Sequence, residues 1–131
     1  VPVILERQHS LPAMEDDDVD QPYKTPAALQ KAGVLFCLND THDQSRFRNL
    51  AFNAGTAATY GLTKEQALSA VTLNPAKILG IEDKTGTIET GKDANLLIVN
   101  GDLLDMKSSV IGQAFIQGRN VSLYKHKYQL K

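Results

Sequence analysis

Residues 34–38 read Val-Leu-Phe-Cys-Leu, a run of apolar side chains with no alternation between polar and apolar positions. A strand that is apolar on both faces is typical of a parallel sheet covered by helices on each side. A second short apolar run, Val-Pro-Val-Ile-Leu, lies upstream at residues 1–5. The sequence therefore predicts two parallel strands joined by a helix, which is the β-α-β unit of an α/β fold.

The segment between these two runs contains the connecting helix. Residues 7–24 are polar, acidic and proline-bearing, which predicts a long loop. Thr25 followed by Pro26 is typical of a helix start, with threonine as the cap and proline at the first helical position. Gly33 suits the left-handed position that follows the end of a helix. We therefore expect the helix to begin at Thr25–Pro26 and to end before Gly33.

Three more helices are predicted after the second strand. Residues 45–60 place Phe47 and several small apolar side chains on one face at helical spacing. Thr63 and Gln66 have the spacing of a capping box, which marks the start of the next helix. A last short helix, closed by Gly80, follows. The first 80 residues thus consist mainly of helices around two strands.

The pattern changes after residue 80. Short apolar runs now alternate with glycine and aspartate turns, which predicts strands over residues 86–89, 94–99, 110–116 and 120–123. The last two runs flank Gly118 as the arms of a hairpin would. Because such short strands are stable only beside neighbours, this half is expected to form a small antiparallel sheet or sandwich.

Charge and composition exclude several classes of function. The chain has 14 basic and 15 acidic residues, so no overall field favours nucleic acid. Residues 56–71 could be read as a helix-turn-helix, but the second helix carries no basic stripe for phosphate contacts. No apolar run is long enough to span a membrane. Neither nucleic acid nor a membrane is therefore an expected partner, and the single cysteine, Cys37, excludes an internal disulfide.

A longer stretch of the chain resembles a known family. Residues 61–81 followed by residues 86–99 are similar, in order and spacing, to a hallmark of the amidohydrolase superfamily. Residues 115–121 resemble the last hairpin of that family. The resemblance covers about residues 27–123, and it is strongest to imidazolonepropionase-like amidohydrolases.

This resemblance implies an α/β architecture: a C-terminal fragment of a (β/α)8 barrel plus part of a small β-sandwich. Residues 1–80 would be the last two βα units of the barrel and residues 81–123 the C-terminal strands of the sandwich. Residues 124–131 would be a basic tail. Because barrel active sites lie at the C-terminal ends of the strands, the loops after Glu6 and Leu38 are expected beside any metal.

The resemblance also implies a chemistry. Amidohydrolases act on non-peptide carbon–nitrogen bonds of small molecules, such as amides and cyclic amides, with water activated by a divalent metal, zinc first among them. Their ligands include a His-x-His pair, whereas the histidines of this chain are His9, His42 and His126. We therefore expect the fragment alone to be inactive and without cofactor. Its partner would be the remainder of the barrel or another copy of the chain.

One aspartate in the family follows the eighth strand, binds metal and takes a proton from the attacking water. Asp40 is the candidate for this catalytic and metal-binding role, and Asp43 is the alternative. The usual Gly-Ser/Thr-Asp ending would place the aspartate one position later, where Thr41 stands. A loop aspartate that caps a turn or a helix is the other interpretation. His9 and His42 are candidates for contact with substrate, unless they are ordinary surface histidines.

A non-enzymatic module for interaction or oligomerisation is the alternative function. Two strands cannot close a barrel, so residues 34–38 could leave an unpaired edge and exposed apolar surface. If the 131 residues were the whole polypeptide, association of copies would be expected to cover that surface.

Overall fold

The structure is a computed structural model that describes residues 1–6, 9–40 and 44–123. The helical half of the chain contains two strands, four α-helices and a 3₁₀ helix: β1 (Val3–Leu5), α1 (Gln21–Lys31), β2 (Phe36–Leu38), the 3₁₀ helix (Gln44–Asn49), α2 (Leu50–Thr59), α3 (Lys64–Ser69) and α4 (Leu73–Leu79). The second half contains β3 (Leu96–Asn100), β4 (Val110–Ile116) and β5 (Arg119–Val121). Within the described residues, no helix combines the length and the apolar character that crossing a membrane requires.

The two strands of the first half pair in parallel, as the sequence predicts. The register aligns Val3 with Phe36 and Leu5 with Leu38. All three residues of β2 are buried, because α1, α2 and α4 all contact this strand. The β-α-β unit is therefore confirmed, and its second strand lies at the centre of the core.

The edge of β2 that faces away from β1 is bonded to the helices. The backbone N–H of Leu38 donates to the carbonyl of Ala70 at 3.0 Å, and the Asn74 side-chain amide donates to the carbonyl of Phe36 at 2.9 Å. These bonds give two backbone groups of that edge a partner within the chain. The apolar run at residues 34–38 is thus buried or half-buried, and exposed apolar side chains occur elsewhere, on β1 and the second sheet, as in Ile4, and in loops and helices, as in Leu11 and Leu79.

Helix α1 begins five residues earlier than the Thr25–Pro26 pattern predicts. It starts at Gln21, so Pro26 lies inside the helix and Thr25 bonds with its hydroxyl to the carbonyl of Gln21. Pro26 has no N–H to give to the helix, but its ring is fully buried in the core. The free energy gained by burying the Pro26 ring outweighs the cost of the missing backbone hydrogen bond in the helix. The predicted end is confirmed, with Gly33 at φ 71°.

The predicted helix over residues 45–60 is present, but its opening turns are a 3₁₀ helix. Ala54 and Ala57 are buried as the apolar stripe predicts. Phe47, by contrast, is 53% exposed, so its assignment to the buried face is wrong. The tighter winding of the 3₁₀ segment, three residues per turn, rotates Phe47 away from the stripe that α2 buries.

The capping box that opens α3 is confirmed. Thr63 Oγ1 accepts from the N–H of Gln66 at 3.1 Å, and Gln66 Oε1 accepts from the N–H of Thr63 at 3.0 Å. The two residues therefore satisfy each other's free backbone donors at the helix start.

Replacing Thr63 with alanine is expected to lower the free energy of unfolding by about 1 kcal/mol, because one donor of the first turn loses its partner. Urea denaturation of the chain measures the difference. Thr63→Ser keeps the hydroxyl and should stay close to wild type. Equal stability of the alanine variant and wild type would show that the capping box contributes little.

The second half is an antiparallel sheet with the strand order β3-β4-β5. The hairpin between β4 and β5 turns at Gln117 and Gly118, both with positive φ, as a two-residue turn with the twist of the flanking strands requires. This confirms the predicted hairpin around Gly118.

The strand predicted over residues 86–89 is not formed. Its polar side chains bond locally instead: the Thr87 hydroxyl donates to Glu89 Oε2 at 2.9 Å, and Lys92 Nζ lies 2.8 Å from the same carboxylate oxygen. A strand exists only where a neighbour supplies a ladder, and none pairs with this segment within the described residues. The predicted strand over residues 86–89 is therefore wrong, and the segment begins with a bend, with Gly86 at φ 101°.

Two of the contacts that join the halves involve α2 and α3. The backbone of Leu104, whose side chain belongs to the core, lies directly against Gly55 on α2. Lys64, at the start of α3, forms an ion pair with Asp102 after β3. The hydrogen bond from Lys64 holds the pKa of Asp102 below its ordinary value of 3.8.

The Lys64–Asp102 pair predicts a pH-dependent contribution to stability. Because the pKa of Asp102 is lowered on folding, the contribution is present above pH 3.8 and is lost as the pH falls through the lowered pKa. Lys64→Met should therefore melt slightly below wild type at neutral pH, and the two should converge as the pH falls through the lowered pKa of Asp102. Lys84→Met removes an exposed lysine and serves as the control. A difference that stays constant across the acid range would contradict the assignment.

Candidate active site

The carboxyl ends of β1 and β2 lie at one edge of the parallel pair, because Leu5 is aligned with Leu38. Glu6 follows β1 at this edge, and Asn39 and Asp40 follow β2. The N–H of Asn39 donates to the carbonyl of Leu5 at 2.8 Å, and Asn39 Nδ2 donates to Glu6 Oε1 at 3.1 Å. The two chain segments are thus tied together where they leave the strands.

Asp40 is half-buried at this edge and points its carboxylate towards α2. Its Oδ2 accepts a hydrogen bond from Nδ2 of Asn53 at 3.2 Å. Asn53 lies on α2 and is only 5% exposed. The bond joins residues 13 positions apart, unlike the local backbone bond expected of an aspartate that caps a turn. Asp40 is therefore anchored to a rigid helix.

His9 lies against the helices α1 and α2. Its Nε2 is 2.8 Å from Oγ1 of Thr56, and the Thr56 hydroxyl itself donates to the carbonyl of Phe52. The imidazole is consequently the donor to Thr56. The ring also stands edge-on to Tyr23, with centroids 5.8 Å apart, and Tyr23 packs on Tyr60. These contacts fasten the segment after β1 to the helical layer.

A cavity of about 700 Å³ opens beside His9. Thr56, Lys64, Asp102 and Ser108 give it a polar wall. Asp40 is not part of its described lining, so the structure does not bring His9 and Asp40 together around one cavity.

Cys37 lies in the middle of β2 and is buried. Burial raises the pKa of its thiol, which keeps the sulfur protonated. A protonated, enclosed thiol is neither a nucleophile nor a metal ligand, so Cys37 has a structural role.

Comparison with known protein families shows the family to which this chain belongs. Residues 13–121 match the amidohydrolase family. The chain belongs to the amidohydrolase family. Several relatives are imidazolonepropionases: that of Thermoplasma volcanium is 35% identical over 86 residues, and that of Shewanella oneidensis is 47% identical over 51 residues. N-acetylglucosamine-6-phosphate deacetylase of Danio rerio is 40% identical over 53 residues.

These matches cover much of this amidohydrolase chain but little of the relatives. They take in 64%, 39% and 40% of the chain, and 21%, 12% and 13% of the respective proteins. The chain therefore spans about a fifth of the length of the Thermoplasma imidazolonepropionase. The resemblance to imidazolonepropionase-like amidohydrolases is confirmed.

Solved structures place the chain in the same family. The crystal structure of an amidohydrolase from Thermotoga maritima MSB8 superposes with a TM-score of 0.71 at 38% identity, over 83% of this chain and 29% of that one. A prolidase crystal structure superposes with a TM-score of 0.66 over 79% of this chain and 27% of that one, at 19% identity, and so supports the fold alone. The mixed α/β architecture is that of amidohydrolases.

The metal that amidohydrolases generally use finds no complete site in the described part of this chain. Among residues 1–6, 9–40 and 44–123, no three histidine, cysteine, aspartate or glutamate side chains are grouped to hold an ion. A zinc site needs about four ligands, of which Asp40 could supply one. The described residues therefore do not fit a metal by themselves.

Two of the candidate residues lie outside the described part of the chain. His42 and the alternative aspartate, Asp43, lie outside the described residues, as does Thr41 at the usual family position of the aspartate. His126 and the rest of the basic segment at residues 124–131 also lie outside them.

The sequence interpretation missed Asn53. Its signal was present, because it is an amide three residues after Leu50 and four before Ala57, on the face of α2 that otherwise carries apolar side chains. A polar residue on a buried helical face has to bond to something. Which residue it bonds to, Asp40, required the packed structure.

Proposed function

We propose that the intact protein hydrolyses a non-peptide carbon–nitrogen bond in a small molecule that carries an amide or a cyclic amide. Asp40 takes the proton from the attacking water. The observation that carries this proposal is the placement of the Asp40 carboxylate directly after β2, anchored to α2 at the carboxyl edge of the parallel strands. The names of the relatives, imidazolonepropionases and a deacetylase, support the bond class.

The architectural part of the proposal divides the chain in three. Residues 1–80 are the last two βα units of a (β/α)8 barrel, and residues 81–123 are C-terminal strands of a small β-sandwich. Residues 124–131 are a basic tail. Support comes from the parallel β1–β2 pair, the separate antiparallel sheet, and a superposition on 29% of the Thermotoga amidohydrolase.

A divalent metal bound in the intact protein, zinc first among the candidates, would lower the pKa of water and polarise the substrate carbonyl. The proposed roles of this chain's own residues are to bind the metal, to accept a proton and to contact the substrate. Asp40 would contribute one ligand and accept the proton, with Asp43 as the alternative residue for both roles. His9 and His42, in the segments that follow β1 and β2, are the proposed contacts to substrate.

The interaction or oligomerisation module is the weaker proposal. It depended on an exposed apolar strand at residues 34–38, and β2 is buried by the chain's own helices. Membership in a hydrolase family also favours the enzyme. The remainder of a barrel is therefore the proposed partner of the β1–β2 pair, ahead of another copy of the chain.

An experiment on the 131-residue chain alone tests the proposal that most of the metal ligands lie in other parts of the intact protein. Purified chain is incubated with zinc, dialysed and assayed for bound metal and for hydrolysis of imidazolonepropionate and simple cyclic amides. We expect no stoichiometric zinc and no turnover. Either one would overturn the proposed division of the site.

A chimera tests the function of the segment in a complete fold. In the imidazolonepropionase of Thermoplasma volcanium, residues 1–123 of this chain replace their counterparts, and hydrolysis of imidazolonepropionate is measured. We expect turnover above that of the same protein without its own segment. A chimera that folds cooperatively yet never turns over would count against the proposal.

A further inference from the structure

Asn53 is the one polar side chain in the buried set of the described residues. It lies on α2 beside Ala54, which is completely enclosed, and one turn before Ala57. Burying an amide costs free energy unless it forms hydrogen bonds. Asparagine is also a poorer helix former than leucine or alanine. Helix stability therefore does not account for an amide at this position.

The bond to Asp40 does account for it. Asn53 Nδ2 donates to Asp40 Oδ2 at 3.2 Å, across the space between α2 and the end of β2. Residues of β2 and of α2 both belong to the core, so the hydrogen bond fixes the Asp40 carboxylate relative to both elements. A carboxylate offers about four acceptor positions, and this bond uses one of them. The carboxylate thus has further acceptor positions for a proton or a ligand.

We propose that Asn53 is a positioning residue that orients the Asp40 carboxylate for proton transfer, an inference that rests on the proposed function of Asp40. An amide suits this task because it donates a hydrogen bond without carrying a proton that titrates. A lysine or histidine in its place would change charge or compete for the proton. Asn53 does not touch the substrate and acts only through Asp40.

The first arm of the test is spectroscopic and uses the 131-residue chain without metal. The side-chain amide resonances of Asn53 are compared in wild type and in Asp40→Ala. We expect a large displacement and faster hydrogen exchange of this amide in the variant, while the exposed Asn120 amide stays unchanged. An Asn53 amide that is indifferent to Asp40→Ala would overturn the inference.

The second arm uses the Thermoplasma chimera and the variant Asn53→Leu, which keeps the branching of the side chain, is somewhat larger and has no donor. We expect kcat to fall about 10–100-fold with KM nearly unchanged, because the base is misoriented while substrate binding is not. Melting should be no lower than that of the unsubstituted chimera. Asn120→Leu, on exposed β5, is the matched control.

The outcomes separate the two claims. If Asp40→Asn abolishes hydrolysis but Asn53→Leu does not slow it, the positioning inference is wrong and the function of Asp40 stands. If Asp40→Asn leaves hydrolysis intact, the proposed function of Asp40 is wrong, and the Asn53 bond is only structural. If Asn53→Leu lowers the melting temperature so far that the unfolded fraction accounts for the fall in kcat, the effect is one of stability and a positioning role is refuted.

Discussion

Asp40→Asn in the Thermoplasma chimera is expected to lower kcat/KM by about 1,000-fold, within the range that removal of a general base produces. The amide has nearly the same shape as the carboxylate and can still accept a bond from Asn53, so the local structure should persist. What it loses is the ability to take a proton from water. The measurement is steady-state hydrolysis of imidazolonepropionate by the two proteins, with melting curves to verify the fold.

Two matched variants make this result specific. Asp83→Asn changes an exposed loop aspartate and should leave turnover at the level of the unsubstituted chimera. Asp43→Asn tests the competing assignment. If Asp43→Asn abolishes hydrolysis and Asp40→Asn does not, the base is Asp43. Full activity in both variants would show that neither aspartate takes part in hydrolysis.

Gly55→Ala is expected to lower the free energy of unfolding by about 3 kcal/mol, the upper range for overpacking a close-packed core. A Cβ at this position would lie 2.1 Å from the carbonyl oxygen of Leu104, which is backbone and cannot rotate away. Helix propensity alone predicts the opposite, a gain of about 1 kcal/mol on replacing a helical glycine by alanine. The sign of the change, measured by urea denaturation, therefore distinguishes the tertiary contact from local preference.

Gly112→Ala is the control for this prediction. It removes the same backbone freedom from the unfolded chain, but the nearest atom to its added Cβ is 3.6 Å away, an ordinary contact. We expect it to be neutral or slightly stabilising. If Gly55→Ala is as stable as Gly112→Ala, the close approach of α2 to the segment after β3 is not a strong constraint on the fold.

Much of the fold follows from patterns that act over a few residues. The apolar run at residues 34–38 predicts a strand buried on both faces, and Thr63 with Gln66 predicts a capping box, because both depend on short-range physics. The predicted start of α1 was wrong because Pro26 was taken as the first helical residue, whereas Pro22 stands in the first turn of the observed helix. Pro26 tolerates a helical interior only since its ring is buried in the core, and burial cannot be read from neighbouring residues.

In the candidate site, too, one residue could be predicted from local sequence and another depends on the tertiary structure. Asp40 could be selected from the sequence because it follows a recognisable strand, and parallel strands carry their sites at the carboxyl edge. The role of Asn53 could not be assigned, since the sequence gives no reason to join it to Asp40. The contact of His9 with Thr56 on α2 and with Tyr23 on α1 likewise depends on the tertiary structure.

By itself, the sequence determined that a strand lies within residues 34–38, the helix and turn boundaries at Gly33 and Gly80, the hairpin at Gly118 and the family resemblance. These features reside in side-chain patterns and backbone preferences within a few residues. Only the tertiary structure decided that Pro26 sits inside a helix, that residues 86–89 find no strand partner, and that Asn53 holds Asp40. Each of these depends on which distant groups come together, and the free energy of burial and hydrogen bonding settles that for the chain as a whole.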